Sequence, residues 1–215
     1  MPVGNDDPRL WLTIVVFGLV FSLPIARSEP ADRVVETEPN TAPLSPAESM
    51  KHFRLAEGFR IELVASEPMI RQPVALTWDG NGRLYVAEMR SYMQDLEGIG
   101  SRQPVGRVCR LEDSDGDGRL DKRTVFLDGL VEPRTLLAVD DALLIGEPPV
   151  LWLCRDTDGD GRADSKEAVT DKFSLRDSNV EHKANSLTRG IDNWIHVSQH
   201  SRRYQVHGDS TVTQA

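Results

Sequence analysis

The feature that most constrains the fold of this chain is an internal repeat. The segment Leu111–Asp121 reads LEDSDGDGRLD and returns at Leu153–Asp164 as LCRDTDGDGRAD, with the acidic motifs 43 residues apart. Short runs of alternating polar and apolar residues occur at Phe59–Leu63, Arg83–Val86 and Arg107–Leu111. This period of two, interrupted by Gly, Asp and Pro, predicts short antiparallel strands joined by tight turns.

A second repeated element supports the same fold class. Val74–Val86 resembles Asn185–Val197, and a degenerate copy lies between them at Leu136–Ile145. A strand, an Asp-containing turn and a second strand, recurring every 45–60 residues or so, are typical of one four-stranded β-propeller blade. No segment after residue 52 has the pattern of an amphipathic helix of three turns.

The repeats predict an all-β fold and divide the chain into blades. We expect blades at about 74–127, at 134–170 and from 185 onward, within a propeller region at 51–215. A propeller closes with about four blades or more. The sequence therefore predicts an incomplete β-propeller of about two and a half to three blades, as if the chain were a fragment of a longer protein.

The N-terminus has the pattern of an export signal. Leu10–Ala26 contains no charged residue, and Ala26-Arg27-Ser28 is a small-x-small cleavage pattern, which predicts a signal peptide at residues 1–28. Asp6 and Asp7 precede the apolar run where a signal normally carries positive charge, so an uncleaved membrane anchor is the alternative. Residues 29–50 contain four prolines and few large apolar residues, which predicts a flexible linker. Either alternative places the protein outside the cytoplasm, in the periplasm, at the cell surface or in the medium.

The charge balance limits the classes of partner. The chain has 34 acidic and 25 basic residues, a formal charge of −9. Nucleic-acid binding depends on clustered excess Lys and Arg, so nucleic acid is not an expected partner. Two cysteines, Cys109 and Cys154, exclude a disulfide scaffold, and the sequence leaves open whether they pair.

The two acidic motifs have the spacing of calcium-binding loops. Residues 156–167 place oxygen-bearing side chains at positions 1, 3, 5, 9 and 12 of a twelve-residue loop, with Gly161 at position 6. Residues 113–124 follow the pattern but end in Thr124, so weaker binding is expected there. The candidate structural Ca²⁺ ligands are Asp113, Asp115, Asp117, Asp121, Asp156, Asp158, Asp160, Asp164 and Glu167. The alternative is that Asp and Gly merely favour the turn.

His182 begins the segment HKANSLTRGIDNWIH, which resembles the part of soluble glucose/sorbosone dehydrogenase propellers that carries their catalytic base. FRLAEGF at residues 53–59, GRLYVAEMRSY at 82–92 and the two acidic motifs also resemble the membrane-bound dehydrogenase domain of planctomycete-type exported proteins. The resemblance covers roughly residues 45–200. It implies a sugar or alcohol substrate, His182 as general base, and pyrroloquinoline quinone or haem c as cofactor in the full-length protein. It identifies no cofactor-binding residue in this chain.

Two functional classes remain open at this point. One is the N-terminal part of an exported, quinone- or haem-linked sugar or alcohol dehydrogenase, inactive as an isolated fragment. The other is a non-catalytic, calcium-stabilised propeller that binds a carbohydrate or a protein. Because one fold hosts many functions, the fold does not decide between them.

Overall fold

The computed structural model describes residues 42–175, 182–198, 203–207 and 212–214. The predicted signal peptide and residues 29–41 of the predicted linker lie outside these ranges. Within them, no helix has the length and apolar character needed to cross a membrane.

The strands of the described residues form three four-stranded antiparallel sheets. Sheet 1 contains β1 (Pro73–Trp78), β2 (Leu84–Glu88), β3 (Gly106–Glu112) and β4 (Lys122–Leu130). Sheet 2 contains β5 (Thr135–Val139), β6 (Ala142–Glu147), β7 (Val150–Arg155) and β8 (Ser165–Thr170). Sheet 3 contains β9 (Thr188–Arg189), β10 (Trp194–His196), β11 (Arg203–Val206) and β12 (Val212–Gln214). In every sheet, strands that follow one another along the chain are hydrogen-bonded neighbours.

Tight turns explain this consecutive order. Asp79 accepts the backbone N–H groups of Asn81 at 2.9 Å and Arg83 at 3.0 Å, which closes the turn between β1 and β2. Glu147 pairs in register with Val150, so only Pro148 and Pro149 connect β6 to β7. Antiparallel strands can be joined by such two-residue turns, whereas parallel strands need long crossovers.

Apolar clusters join neighbouring sheets. One cluster contains side chains of sheets 1 and 2, among them Phe126 and Ile145, and a second contains side chains of sheets 2 and 3, among them Leu144 and Ile195. A third cluster covers the outer surface of sheet 1, where Ala65, Met69 and Ile70 pack against its buried residues. The core thus lies between the sheets, which fixes the position of the turns at their edges.

The all-β prediction is confirmed, and the sheets follow the predicted divisions at 74–127, 134–170 and from 185 closely. Two local predictions differ from the structure. The alternation at Phe59–Leu63 predicts a strand, but the structure has none there, and Phe59 and Leu63 are exposed, so no burial favours a pairing. The end of the predicted linker forms a short helix, α1 (Pro46–Met50), because Ser45 and Glu48 make a capping box.

Candidate functional site

Each acidic motif forms the turn between the third and fourth strands of its sheet. Turn 1 (residues 113–121) joins β3 to β4, and turn 2 (residues 156–164) joins β7 to β8. The backbone N–H of the last aspartate closes each turn, from Asp121 to the carbonyl of Glu112 at 2.9 Å and from Asp164 to that of Arg155 at 2.8 Å. The sequence repeat is therefore also a repeat of structure.

The first aspartate of each turn accepts two backbone hydrogen bonds. In turn 2, Asp156 accepts the N–H groups of Gly159 at 2.8 Å and Gly161 at 2.9 Å. In turn 1, Asp113 accepts those of the equivalent glycines at 2.7 and 2.8 Å. The last aspartates behave alike, since Asp164 accepts the N–H of Thr157 at 2.6 Å and Asp121 that of Ser114 at 2.8 Å.

These hydrogen bonds favour the ionised carboxylates. The N–H groups of Gly118 and Gly116 hold the pKa of Asp113 below its usual range. The N–H and the hydroxyl of Thr157 likewise lower the pKa of Asp164. Because hydrogen bonds to the charged form stabilise it, both turns present carboxylates rather than carboxylic acids at neutral pH.

Carboxylate oxygens converge in both turns. The oxygens of Asp113, Asp115 and Asp117 lie within 4.8 Å of one another, as do those of Asp156, Asp158 and Asp164. Carboxylate oxygens are the ligands that Ca²⁺ prefers. The carboxylates of Asp121 and Asp160 are not members of these groups, although both accept hydrogen bonds inside their turns. Glu167 lies in β8 opposite Leu153, outside the group formed in turn 2.

Arg110 of β3 links sheet 1 to turn 2. Its guanidinium donates to Asp156 at 2.8 Å and to Glu112 at 3.0 Å, and its side chain is only 3% exposed. A guanidinium donor fork matches carboxylate acceptors well. Turn 2 is therefore in contact with a cation from sheet 1. The residue of sheet 2 that corresponds to Arg110 in the 43-residue repeat is Leu153, which carries no charge.

His182, the predicted catalytic base, is exposed and precedes the buried Lys183. The Lys183 ammonium donates to the Glu132 carboxylate at 2.8 Å, and both side chains are almost fully buried. Since adjacent Cα atoms are about 3.8 Å apart, this buried ion pair fixes the backbone next to His182.

The ion pair lies in the wall of a cavity of about 360 Å³. The cavity is lined by Arg102, Val131, Glu132, Glu147, Pro148, Pro149, Val150, Trp152 and Lys183. Glu147 accepts hydrogen bonds from the N–H of Val131 at 2.6 Å and from the Trp152 indole at 2.7 Å. The walls thus combine two carboxylates, two cations, an indole and two prolines.

Glu132 has two unusual features for a buried acid. Its Oε1 atom is buried and has no hydrogen-bond partner among the described residues, whereas Oε2 accepts from Lys183. Its φ angle is +53°, a left-handed conformation that is uncommon outside glycine. Both features are costly, and strain of this kind is concentrated at functional sites.

His196 and His207 do not line this cavity. His196 contacts Asp192, with 3.1 Å between Nε2 and Oδ2, and this hydrogen bond is the largest cause of the lowered pKa of Asp192. His207 contacts the hydroxyl of Thr213 at 2.8 Å. His200 lies outside the described residues.

Cys109 and Cys154 are both buried free thiols. They lie on β3 and β7, in different sheets. Burial raises the pKa of each thiol to about 12, which removes the reactive thiolate at neutral pH. The cysteines therefore belong to the core and contribute no nucleophile.

Sequence reasoning did not identify the cavity lined by Glu132 and Lys183. Glu132 and Lys183 are 51 residues apart, and no motif joins them. The only sequence signal is a charged Glu-Pro-Arg segment at a predicted blade boundary, which is also a common loop composition.

A model of the family described as "Domain of unknown function (DUF7133)" matches residues 45–215. A comparison with curated proteins found no match. The matched range contains all three sheets, both acidic turns and the cavity lined by Glu132 and Lys183.

Proposed function

The chain belongs to the DUF7133 family, and we propose that it supplies blades of an exported, dehydrogenase-like β-propeller that binds a sugar or an alcohol. The consecutive strand order within each sheet supports the propeller. So do the apolar clusters shared by neighbouring sheets and the contact between their first strands, β1 and β5.

The observation that carries the proposed ligand class is the Oε1 atom of Glu132, which is buried and accepts no hydrogen bond from the described residues. A buried carboxylate oxygen without a donor costs free energy, and a ligand hydroxyl group is a donor that removes this cost. Glu147 and Lys183 add further hydrogen-bonding groups, while Trp152 adds an apolar wall. A cavity with apolar walls and a few convergent polar groups is the usual form of a small-molecule site.

The proposed chemical step uses His182. Its imidazole would accept the proton of the substrate hydroxyl, and oxidation of the alcohol to a carbonyl would require an acceptor for the hydride of the carbon that bears this hydroxyl. The buried pair of Lys183 and Glu132 holds the backbone beside the base. In the resembling dehydrogenases a quinone supplies the hydride acceptor. No described residue of this chain is assigned to a quinone or a haem.

The acidic turns have a structural role in this proposal. Asp113, Asp115 and Asp117 in turn 1, and Asp156, Asp158 and Asp164 in turn 2, offer the hard oxygen ligands that suit Ca²⁺. Bound Ca²⁺ would offset the mutual repulsion of these carboxylates. Export through the segment at residues 1–28 would expose the turns to extracytoplasmic calcium at about a millimolar, the range in which extracellular modules bind.

The binding proposal is tested by calorimetric titration of the full-length protein with a panel of monosaccharides and sugar alcohols. The double substitution Glu132→Leu/Lys183→Met removes both charges together, and such replacements often leave stability nearly unchanged. We expect it to weaken binding by about tenfold or more, since it removes hydrogen bonds to charged groups. Wild-type affinity in a folded double variant would contradict the proposed site.

The catalytic proposal is tested by dye-linked oxidation of the sugars that bind. His182→Ala is expected to lower turnover by about two to four orders of magnitude, the usual contribution of a general base. The matched control is His207→Ala, which changes an exposed histidine hydrogen-bonded to Thr213 and should keep full turnover. Equal turnover in both variants would remove His182 from the mechanism.

The second candidate function is non-catalytic binding of a carbohydrate or a protein. The observation that favours it is that the cavity walls already combine charged hydrogen-bonding groups with an indole and two prolines, which are sufficient for binding without a chemical step. Sugar binding without any dye-linked oxidation by the full-length protein would support this candidate over the dehydrogenase.

A further inference from the structure

A second cavity, on sheet 1, is rich in arginine. It has a volume of about 450 Å³, and its lining residues are Glu67, Pro68, Ile70, Arg71, Glu88, Arg90, Arg107 and Arg123. Its volume falls in the range of small-molecule pockets. Four arginines and two glutamates thus line one cavity in a chain whose formal charge is −9.

The two glutamates do not neutralise the four arginines. Glu88 is buried, accepts the backbone N–H of Arg71 at 2.9 Å and lies 3.7 Å from the Arg123 guanidinium. Arg107 is 3.4 Å from the exposed Asp128. Even when Asp128 is counted, the cavity keeps an excess of positive charge.

Three of the arginines retain unused donors. The side chains of Arg71 and Arg90 donate to no carboxylate within the described ranges. The Nε atom of Arg107 is buried and has no hydrogen-bond partner among the described residues. A buried N–H without an acceptor is costly, so the Nε atom of Arg107 favours a ligand that supplies acceptor oxygens. Arg71 is exposed and Arg90 half-buried, and their guanidinium groups add charged donors for the same ligand.

We propose that this cavity, the arginine cavity, binds a phosphate group. Guanidinium forks bind phosphate and carboxylate oxygens through paired hydrogen bonds. A phosphate presents at least three acceptor oxygens in different directions, whereas a carboxylate presents two in one plane. Phosphate therefore matches several converging guanidinium groups better. The group belongs either to inorganic phosphate or to a phosphate monoester, since the cavity has room for more than the anion itself.

The experiment is calorimetric titration of the full-length protein with inorganic phosphate and, separately, with glycerol 3-phosphate. A chelator keeps calcium phosphate from forming, and the ionic strength is held constant because charge–charge binding is screened by salt. Saturable binding of either compound is expected, with acetate at the same concentration binding more weakly. Tighter binding of the monoester would identify a phosphorylated small molecule as the source, and equal binding would identify free phosphate.

The variant that tests the site is Arg71→Gln/Arg90→Gln. Neither side chain makes an ion pair in the described part of the chain, so the fold should persist, as melting temperature will show. We expect phosphate affinity to fall by about tenfold or more, the effect of losing hydrogen bonds to a charged group. The matched control is Arg60→Gln, which removes one positive charge outside the cavity and should change little. No phosphate binding, or equal affinity in the double variant and the control, would overturn the proposal.

Discussion

At the scale of single residues, Gly118 and Gly161 show how equivalent positions acquire different roles. Both have left-handed backbone angles, with φ of +88° and +94°. A Cβ atom at Gly161 would lie 2.6 Å from the Arg110 guanidinium, whereas one at Gly118 would have no heavy atom within 4 Å. Because Arg110 is buried and held by Asp156 and Glu112, it cannot move aside freely. Gly161 is therefore needed for its backbone angle and for the space it leaves.

We predict that Gly161→Ala destabilises the protein more than Gly118→Ala. The left-handed angle alone should lower the free energy of unfolding of both variants by about 1–2 kcal/mol. The collision with Arg110 adds about 1–3 kcal/mol, the usual cost of overpacking, at Gly161 only. Urea denaturation measures both changes in the free energy of unfolding. Equal losses would mean that the Arg110 ion pairs do not fix the guanidinium, and the double variant Arg110→Ala/Gly161→Ala would then show no coupling.

At the scale of elements, the turns and most strands of sheets 1 and 2 could be predicted, because their signals are local. The Asp-Gly motifs dictate their own hydrogen bonds, and alternation marks strands such as β2 and β3. Phe59–Leu63 has the same alternation but pairs with no strand among the described residues, and alternation alone does not show whether a partner strand exists. The cavity lined by Glu132 and Lys183 was not predictable either, because its walls come from segments that are distant along the chain.

We predict that Ca²⁺ binds both acidic turns and raises the melting temperature. Asp158→Asn and Asp115→Asn should each remove one site, because an amide is a poorer calcium ligand than a carboxylate. Both substitutions leave an oxygen to accept the turn hydrogen bonds, from Asp160 at 3.1 Å and from Asp117 at 3.2 Å. Asp156 is less suitable for this test because its loss also breaks the bond to Arg110.

Calorimetric titration counts the calcium sites and measures the affinity of each. The sequence predicts that the loop at 156–167 binds calcium more tightly than the loop at 113–124. The melting temperature with and without millimolar Ca²⁺ gives the accompanying stabilisation. If neither substitution alters the titration, the motifs are turns without a bound ion.

At the scale of the whole molecule, the sheets share their cores. Tyr85 and Phe126 of sheet 1 pack in one cluster with Leu143, Ile145 and Cys154 of sheet 2. If one of the two sheets unfolds, the apolar side chains that the other sheet contributes to this cluster become exposed to water. Since burial of apolar surface is the main favourable contribution to folding, the two sheets should unfold together.

The two thiols can test this cooperativity, because Cys109 reports on sheet 1 and Cys154 on sheet 2. Burial raises the pKa of both to about 12, so at pH 8 only about one thiol in ten thousand would be ionised even if a reagent reached it. We predict no labelling by a thiol reagent in the native protein. The variant Cys109→Ala retains only Cys154, and Cys154→Ala retains only Cys109. In urea, the remaining thiol of each variant should become reactive at the urea concentration at which that variant unfolds. Labelling of one thiol well below the unfolding transition seen by circular dichroism would show that its sheet opens alone, and that the shared cluster does not couple the two sheets.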